Sequence, residues 1–426
     1  MIEIKATPEF GRLPADRPQT LTVAIELRTG AAPDAAPRLP FNLSLVLDRS
    51  GSMSGAKLAA TKQAAGDLVR RLAASDCVSL VAYDDQVDLL CPPTPGDQKG
   101  RLLERVAGLD TRGCTNLSAG WLEGIGQVAR GIPREGLNRV LLLTDGQANA
   151  GVTDSDALVQ MGRRALERGI RTTCLGFGAD FNEDLLTAIA EESGGNFYYI
   201  DSPDRAAAAF LEELGELGSV IGQNLEVILE CEPGVRIARN LTPLPGEVHE
   251  ARALWKVGDL YADDARLLVV TLELPPGHAG QAPVAQLGVR FHQVRGGVSE
   301  RRREQPLVVE RVAGLAEPDQ PDPSVTRERL IQEAAAAKRE ALARADRGDF
   351  AGARRVIDFC SAALRHRVAN PGESSQADLE RIQSEASVTA ALLDELEADR
   401  YTSSSRKEVQ SQTVQARKQR GAYRRT

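Results

Sequence analysis

The feature that most constrains the fold of this sequence is an alternation of apolar runs and amphipathic stretches between residues 41 and 217. The apolar runs are short and rich in Val and Leu: FNLSLVLD (41–48), CVSLVAYD (77–84), RVLLLTD (139–145), RTTCLGFG (171–178) and NFYYI (196–200). Runs of this length and composition are typical of strands that are buried on both faces of a sheet. They predict the strands of a central sheet.

The stretches between these runs carry apolar residues at helical spacing: residues 56–73, 116–130, 155–169 and 182–193. Alternating strands and helices predict an α/β fold, with a doubly wound, mostly parallel sheet covered by helices on both faces. The segment Val87–Leu90 follows Tyr83-Asp84-Asp85-Gln86 too closely for a crossover. We therefore expect it to form an antiparallel edge strand after a tight turn.

The two flanks of this region have a different pattern. Residues 1–38 contain two alternating segments, and residues 219–312 contain about five more, separated by Gly/Pro turns. Period-two segments of this kind are typical of an antiparallel sandwich. We predict that residues 39–218 form an α/β domain that is inserted into a β-sandwich made of residues 1–38 and 219–312.

The carboxyl-terminal part of the chain is predicted to be helical. Residues 313–324 form a Pro- and Asp-rich linker, and residues 325–400 form a helical hairpin or small three-helix bundle. The first two helices also resemble a single tetratricopeptide unit, although one unit does not make a repeat array. Residues 401–426 have seven Arg/Lys and one acidic residue, and we expect a flexible basic tail.

Composition narrows the class of protein. A length of 426 residues suggests two or three domains, and a net charge of −8 argues against a nucleic-acid-binding protein. No apolar run is long enough for a transmembrane helix, and the first residues do not resemble a secretory signal. The six cysteines are scattered and include no CxxC pair, which favours reduced thiols. We expect a cytoplasmic protein.

Three segments at predicted strand ends or loops carry the candidate site: Asp48-Arg49-Ser50-Gly51-Ser52, Gly113-Cys114-Thr115-Asn116 and Thr144-Asp145-Gly146. Together and in this order they resemble the metal-ion-dependent adhesion site of von Willebrand factor A domains. The resemblance covers about residues 40–218 and extends to the order of strands and helices. It implies a metal site formed by five side chains: Asp48, Ser50, Ser52, Thr115 and Asp145.

The chemistry of these five side chains agrees with that resemblance. All of them are oxygen donors, which suit a hard cation such as Mg²⁺, with Mn²⁺ or Ca²⁺ as alternatives. Zinc is disfavoured because the set contains no His or Cys. The segments also lie where strands open onto the carboxyl edge of the sheet, and this edge is where doubly wound folds bind ligands.

Two carboxylates and three neutral hydroxyls leave a divalent ion able to attract an external carboxylate. In the family, an Asp or Glu of a partner protein fills the open position, and the resemblance implies the same here. It also implies direct coordination by Ser50, Ser52 and Thr115. Which of the two aspartates binds through water stays open.

These observations favour a metal-dependent protein-interaction or assembly module rather than an enzyme. The domain order resembles bacterial cytosolic proteins with an inserted domain of this family and, less closely, inter-alpha-trypsin inhibitor heavy chains. By resemblance, partners include AAA+ ATPases or kinase–phosphatase systems. One alternative is a self-associating scaffold whose metal site is filled in trans or by its own tail. A metal-dependent hydrolase is a weaker alternative, because the motifs supply no spare general base.

Overall fold

A computed structural model describes residues 2–31, 38–131, 136–147, 149–178, 180–242, 244–294, 299–372 and 374–396. The strands of these residues are, in chain order, β1 (Ile2–Pro8), β2 (Arg12–Pro14), β3 (Gln19–Thr29), β4 (Phe41–Asp48), β5 (Cys77–Tyr83), β6 (Val87–Pro95), β7 (Leu137–Thr144), β8 (Arg171–Phe177), β9 (Phe197–Ile200), β10 (Val220–Cys231), β11 (Arg236–Asn240), β12 (Gly246–Val248), β13 (Arg252–Tyr261), β14 (Ala265–Leu274), β15 (Gly280–Gln293) and β16 (Ser299–Val312). The helices are α1 (Ala56–Arg71), α2 (Lys99–Ala107), α3 (Leu117–Arg130), α4 (Ser155–Glu167), α5 (Glu183–Glu192), α6 (Pro203–Gly218), α7 (Pro323–Ala345), α8 (Phe350–Ala369) and α9 (Gln376–Glu395).

The described residues fall into two compact units. One unit contains the described parts of 2–31, 224–292 and 300–396, and the other contains the remaining described residues. The second unit holds a six-stranded sheet of order β6-β5-β4-β7-β8-β9. Strands β5, β4, β7, β8 and β9 run parallel to one another, and the edge strand β6 is antiparallel to β5. The predicted mostly parallel α/β fold is therefore confirmed, including the antiparallel edge strand.

The core of the α/β unit forms where apolar strands meet the inner faces of the helices. Trp121 of α3 is fully buried with Val46 and Val140 of the sheet, and its indole N–H donates to Thr172 Oγ1 at 3.0 Å. Gly120 lets α3 lie close to the sheet, because a Cβ there would come within 2.5 Å of the ring of Tyr83. This close packing fixes the start of α3, and the loop before α3 carries part of the candidate site.

The other unit contains two sheets, of orders β1-β3-β14-β11 and β12-β13-β10-β15-β16-β2. Apolar side chains alternate along β3, where Leu21, Val23, Ile25 and Leu27 are all buried, as expected for a strand with one face in a core. The neighbours β1, β3, β14 and β11 pair antiparallel. The β2–β16 pair is parallel, however, so this part of the prediction was wrong. At three residues, β2 is too short to carry a pattern that reveals its direction.

Helices α7, α8 and α9 form the predicted helical region, but α7 begins earlier than expected. Asp322 accepts hydrogen bonds from Ser324 N and Val325 N, and Pro323 occupies the first turn. The Pro and Asp residues that predicted a linker therefore build a helix start. Val325 then packs against Ala24 of β3, so the helices and the sheets share one unit.

The predicted basic tail, residues 401–426, lies outside the described residues. Among the helices that the structure describes, none is both long enough and apolar enough to cross a membrane.

One buried carboxylate, Asp76, joins three segments at the amino edge of the parallel sheet. Its oxygens accept two hydrogen bonds from the Arg38 guanidinium, at 2.7 and 2.6 Å, and one each from Phe41 N and Ala73 N, at 2.9 and 2.7 Å. Burial alone would raise the pKa of Asp76, but these donors hold the pKa below its ordinary value. The ionised form is thus stabilised in the folded protein.

Replacing Asp76 with Asn is expected to lower the free energy of unfolding by about 2 kcal/mol at neutral pH, because the ion pair and some of these hydrogen bonds are lost. A lowered folded pKa gives stability that is present above the unfolded pKa and disappears as the pH falls through the folded pKa. The difference between wild type and Asp76→Asn should therefore shrink at about pH 3. Urea unfolding at both pH values measures it, and a difference independent of pH would contradict this account.

Candidate metal centre

The two aspartates of the candidate site lie at the ends of neighbouring strands. Asp48 is the last residue of β4, and Asp145 directly follows Thr144, the last residue of β7. These strands pair in parallel, with Leu47 opposite Leu143. Parallel neighbours end at the same edge of a sheet, so the register places both carboxylates at its carboxyl edge. Both side chains are fully buried.

Asp48 is held in place from both sides. Its Oδ1 accepts a hydrogen bond from Ser50 N at 2.8 Å, and its Oδ2 accepts one from the Thr144 hydroxyl at 2.7 Å. The loop that follows turns at once into a 3-10 helix, Gly51–Met53. That turn directs the two serine hydroxyls toward each other, with 3.1 Å between Ser50 Oγ and Ser52 Oγ.

Asp145 contacts a hydroxyl and an ammonium group. Its Oδ1 accepts a hydrogen bond from Ser52 Oγ at 2.6 Å, and its Oδ2 lies 2.5 Å from Lys57 Nζ. Ser52 gives its only proton to Asp145, so Ser52 Oγ accepts from the Ser50 hydroxyl and keeps one lone pair for another group. Asp145 therefore orients the hydroxyl of Ser52 and is itself oriented by Lys57.

Thr115 reaches the site from the loop between α2 and α3. The backbone places this loop against the serine loop, because Gly51 N donates to the Gly113 carbonyl at 3.1 Å. Asn149 N and Ala150 N both donate to the Thr115 carbonyl at 3.2 Å. A Cβ on Gly146 would lie 3.2 Å from Thr115 Oγ1 and 4.0 Å from Ser52 Oγ. The hydroxyl of Thr115 therefore lies beside Gly146, on the same side as the serines.

The electrostatics of the site favour a cation. Burial raises the pKa of Asp48, and the nearby charge of Asp145 raises it further, while the hydrogen bonds from Ser50 and Thr144 act in the opposite direction. Ionising Asp48 therefore costs free energy in the folded protein, and a bound positive charge would offset that cost.

The donor set fits a hard divalent ion. An octahedral Mg²⁺ holds its oxygen ligands at about 2.0–2.1 Å, which puts adjacent ligands about 2.9 Å apart. The separation of the Ser50 and Ser52 hydroxyl oxygens, 3.1 Å, is close to that value. Across the described residues, no group of three or more His, Cys, Asp or Glu forms a different kind of metal site. The structure brings the five predicted side chains together, and their roles as ligands stay a prediction.

Two residues at this site were not among the predicted ligands, Thr144 and Lys57. Thr144 stood in the quoted Thr-Asp-Gly motif, but its contact with Asp48 depends on the pairing of β4 with β7. Lys57 lies in the first turn of α1, directly after the serine loop. Its position in the sequence placed it near the serine loop, but its contact with Asp145 depends on the packing of α1.

Asp84 and Asp85 belong to a turn, as expected from the sequence. Asp84 Oδ1 accepts a hydrogen bond from Gln86 N at 2.8 Å, and Asp84 Oδ2 pairs with Arg49 and Arg112 at 2.7 and 2.9 Å. Burial acts to raise the pKa of Asp84, but these donors lower it below the ordinary value. The Arg49 backbone also accepts a hydrogen bond from Arg112 N at 2.7 Å, so this cluster fastens the serine and threonine loops together.

Gly113 is required by the backbone of the threonine loop. Its φ is +63°, and a Cβ there would lie 2.0 Å from Asp85 Oδ1. We expect Gly113→Ala to destabilise the protein by about 1–3 kcal/mol and to weaken metal binding, because the loop that holds Thr115 must shift. Urea unfolding and a Mg²⁺ titration measure the two effects. Gly126→Ala in α3 is the control, since a Cβ there meets nothing within 4 Å and should not destabilise. Equal behaviour of the two variants would count against a strained loop.

The α/β region that carries the candidate site is similar to known proteins. The family model described as von Willebrand factor type A domain matches residues 42–213. An uncharacterized protein of Synechocystis sp. is 30% identical over 279 residues, which are 62% of this chain and 65% of that protein. The uncharacterized protein YfbK of Escherichia coli is 29% identical over 194 residues, 45% of this chain and 34% of its own. Human inter-alpha-trypsin inhibitor heavy chain H3 is 30% identical over 196 residues, 43% of this chain and 22% of its own. The matched parts cover less than two thirds of each relative.

Solved structures extend the likeness of fold to nearly the whole chain. The match to a von Willebrand factor type A protein from Catenulispora acidiphila covers 97% of this chain and 96% of that protein, with a TM-score of 0.66 and 17% identity. The ArnB paralog VWA2 from Sulfolobus acidocaldarius covers 98% of both chains, with a TM-score of 0.61 and 15% identity. At these identities the likeness concerns the fold alone.

Proposed function

Because residues 42–213 form a von Willebrand factor type A domain, we propose that this protein binds a partner protein through a divalent cation, Mg²⁺ in the first instance. Asp48, Ser50, Ser52, Thr115 and Asp145 would hold the ion. An Asp or Glu carboxylate of the partner would complete its coordination. The observation that carries the proposal is the meeting of two buried aspartates with three hydroxyl side chains at the carboxyl edge of the parallel sheet.

The charge of the donor set explains why a carboxylate is the expected ligand. Two aspartates balance the charge of a divalent ion, and the hydroxyls add dipoles without adding negative charge. An ion held in this way keeps an affinity for a further anionic oxygen. A site with three or four carboxylates would satisfy the ion by itself and would leave little attraction for a partner.

We propose a binding role rather than catalysis. A metal-dependent hydrolase needs a base to activate the attacking water. The side-chain partners of Asp48 and Asp145, as far as the described residues show them, are three hydroxyls and one ammonium group: Ser50, Ser52, Thr144 and Lys57. At neutral pH none of these is a carboxylate or imidazole that would accept the proton of a water.

A capture experiment tests the proposal. Tagged wild type is used as bait in Mg²⁺ and in EDTA, beside Asp48→Ala and a charge-matched control, Asp67→Ala, which changes a half-buried residue of α1 away from the site. We expect a partner to be retained in Mg²⁺ by wild type and by the control, and to be lost in EDTA and with Asp48→Ala. Replacing the acidic contact residue of that partner with its amide should also abolish retention.

Two results of the capture experiment would contradict the proposed function. A partner retained in all four samples would show that recognition does not use the cation. Retention that requires Mg²⁺ but survives every Asp→Asn or Glu→Gln change in the partner's contact region would exclude a carboxylate ligand. Light scattering of the purified protein with and without EDTA tests self-association, which would decrease in EDTA if a second copy supplied the carboxylate.

A further inference from the structure

Lys57 is a cation that belongs to the chain and is placed directly on the candidate metal centre. Its Nζ lies 2.5 Å from Asp145 Oδ2. The Asp145 side chain is fully buried, and 28% of the Lys57 side chain is exposed. The partly exposed lysine side chain therefore ends on a buried carboxylate of the candidate site.

The position of this ammonium group is defined by packing as well as by charge. Gly178, which follows β8, has a φ of +78°. A Cβ at this position would lie 3.4 Å from Lys57 Nζ and 3.5 Å from Lys57 Cε, so the lysine passes close to the glycine backbone. Lys57 is thus held between the residues that follow β7 and β8 and is less free than a solvated surface lysine.

The charges of the site show what this lysine changes. With Asp48 and Asp145 ionised, the two carboxylates carry −2, and Lys57 reduces this to −1. A divalent cation would then bring the total to +1, whereas the same site without the lysine would reach only zero. A carboxylate that approaches the loaded site meets an excess positive charge only because Lys57 is present.

We propose that Lys57 is a specificity-determining residue that shifts this site from retaining a metal toward capturing a carboxylate. It weakens the binding of the divalent cation, because like charges repel. It strengthens the binding of an acidic ligand to the loaded site, because opposite charges attract. This inference rests on the proposed function, since it presumes that the site takes both a cation and a carboxylate.

The alternative is that Lys57 only positions Asp145. The two roles of Lys57 predict opposite changes in metal affinity when the lysine is replaced by a neutral residue. Loss of a positioning contact would loosen Asp145 and weaken both metal binding and ligand binding. Loss of a charge would move the two affinities in opposite directions.

The test uses Lys57→Met, which keeps the aliphatic stem and removes the charge, with Lys57→Gln as a second neutral variant. Lys57→Arg keeps the charge. Lys62→Met is the matched control, because Lys62 lies on the same helix and donates to the Ala107 carbonyl instead of the site. Thermal unfolding in EDTA checks that each variant is folded.

Mn²⁺ serves as the probe for the metal, and its binding is followed by electron paramagnetic resonance of the free ion. Acetate serves as the probe for the carboxylate, followed by the decrease in water-proton relaxation as it displaces water from bound Mn²⁺. We expect both neutral variants to bind Mn²⁺ about tenfold more tightly and acetate about tenfold more weakly than wild type. Unit charges a few ångströms apart at a solvated site interact with about this strength. Lys57→Arg and Lys62→Met should stay close to wild type, and added salt should reduce the effects.

Several outcomes would overturn the inference, and they are separable from failure of the proposed function. If wild type binds no Mn²⁺, or binds Mn²⁺ but no acetate, the proposed function fails and the inference fails with it. If wild type binds both while the neutral variants weaken both affinities, Lys57 is a positioning residue. If wild type binds both and the neutral variants change neither, Lys57 has no part in recognition.

Discussion

Replacing Asp48 with Asn is expected to lower the affinity of the protein for Mg²⁺ about a hundredfold or more, because one of only two carboxylates at the site loses its charge. Asn has nearly the same shape as Asp, and its carbonyl oxygen can still accept the hydrogen bond from Ser50 N. The loss should therefore reflect charge rather than a collapsed loop. Isothermal titration with Mg²⁺ measures it, with Asp67→Asn on α1 as the control.

The same substitution should have opposite effects on stability with and without the metal. Burial raises the pKa of Asp48 in the folded protein. A carboxyl group whose folded pKa is raised binds its proton more tightly when folded. The metal-free protein therefore loses stability as the pH rises from the unfolded pKa, ordinarily 3.8, through the raised folded pKa. Asp48→Asn removes this loss, so its melting temperature in EDTA at neutral pH should exceed that of wild type.

In Mg²⁺ the wild type should have the higher melting temperature, because the ion binds the folded wild type and stabilises it by mass action. The Asp48→Asn variant should gain little stability from the ion. Melting curves of both proteins in EDTA and in Mg²⁺ test this crossing. A variant that melts below wild type in both solutions would indicate that Asp48 supports the fold through its hydrogen bonds. A variant that gains as much stability from Mg²⁺ as wild type would place the metal elsewhere.

Removing the carboxylate of Glu213 should be the most destabilising of these substitutions. Glu213 lies in α6 with no exposed surface, and its Oε1 is 3.6 Å from Arg139 Nη1 and accepts from Thr173 Oγ1 at 2.7 Å. Its Oε2 accepts from Asn196 Nδ2 at 2.7 Å and from the Tyr198 hydroxyl at 3.1 Å. One carboxylate thus fastens α6 to β7, β8 and β9. We expect Glu213→Ala to lower the free energy of unfolding by about 3–5 kcal/mol, because it breaks a buried ion pair from one side.

The two tryptophans of the chain allow the effect to be assigned to one unit. Trp121 lies in the α/β unit and Trp255 in the other, so a Trp255→Phe background leaves the fluorescence of Trp121 as the reporter. Urea unfolding followed in this background should show the full loss for Glu213→Ala and a smaller loss for Glu213→Gln, which keeps acceptor atoms. Glu212→Ala, on the exposed side of the same helix, should lie within about 0.5 kcal/mol of wild type. Comparable losses at 212 and 213 would contradict the role given to this network.

Features of this fold that depend on neighbouring residues could be predicted from the sequence, and features that depend on distant residues could not. Strands with continuous apolar runs, such as β4 and β7, were predicted from the sequence because burial on both faces demands that composition. Helix α2 was missed because it spans only nine residues, of which Leu102 and Val106 are buried, and so short a helix offers few positions in which to recognise a period. The short strands β2 and β11 were also missed, and β12 was not distinguished from β13, because a strand of three to five residues gives its alternation too few positions to be recognised.

The sequence by itself determined that this chain contains an α/β domain with two aspartates at the ends of apolar strands, and the order of its motifs was enough to suggest the family. These properties depend on local periodicity and on residue type, which are written along the chain. Only the tertiary structure decided that Thr144 holds Asp48 and that Lys57 holds Asp145. Those contacts join residues 96 and 88 positions apart, so they are fixed by the register of β4 against β7 and by the packing of α1. No local pattern specifies a distance between side chains that meet only after the sheet has formed.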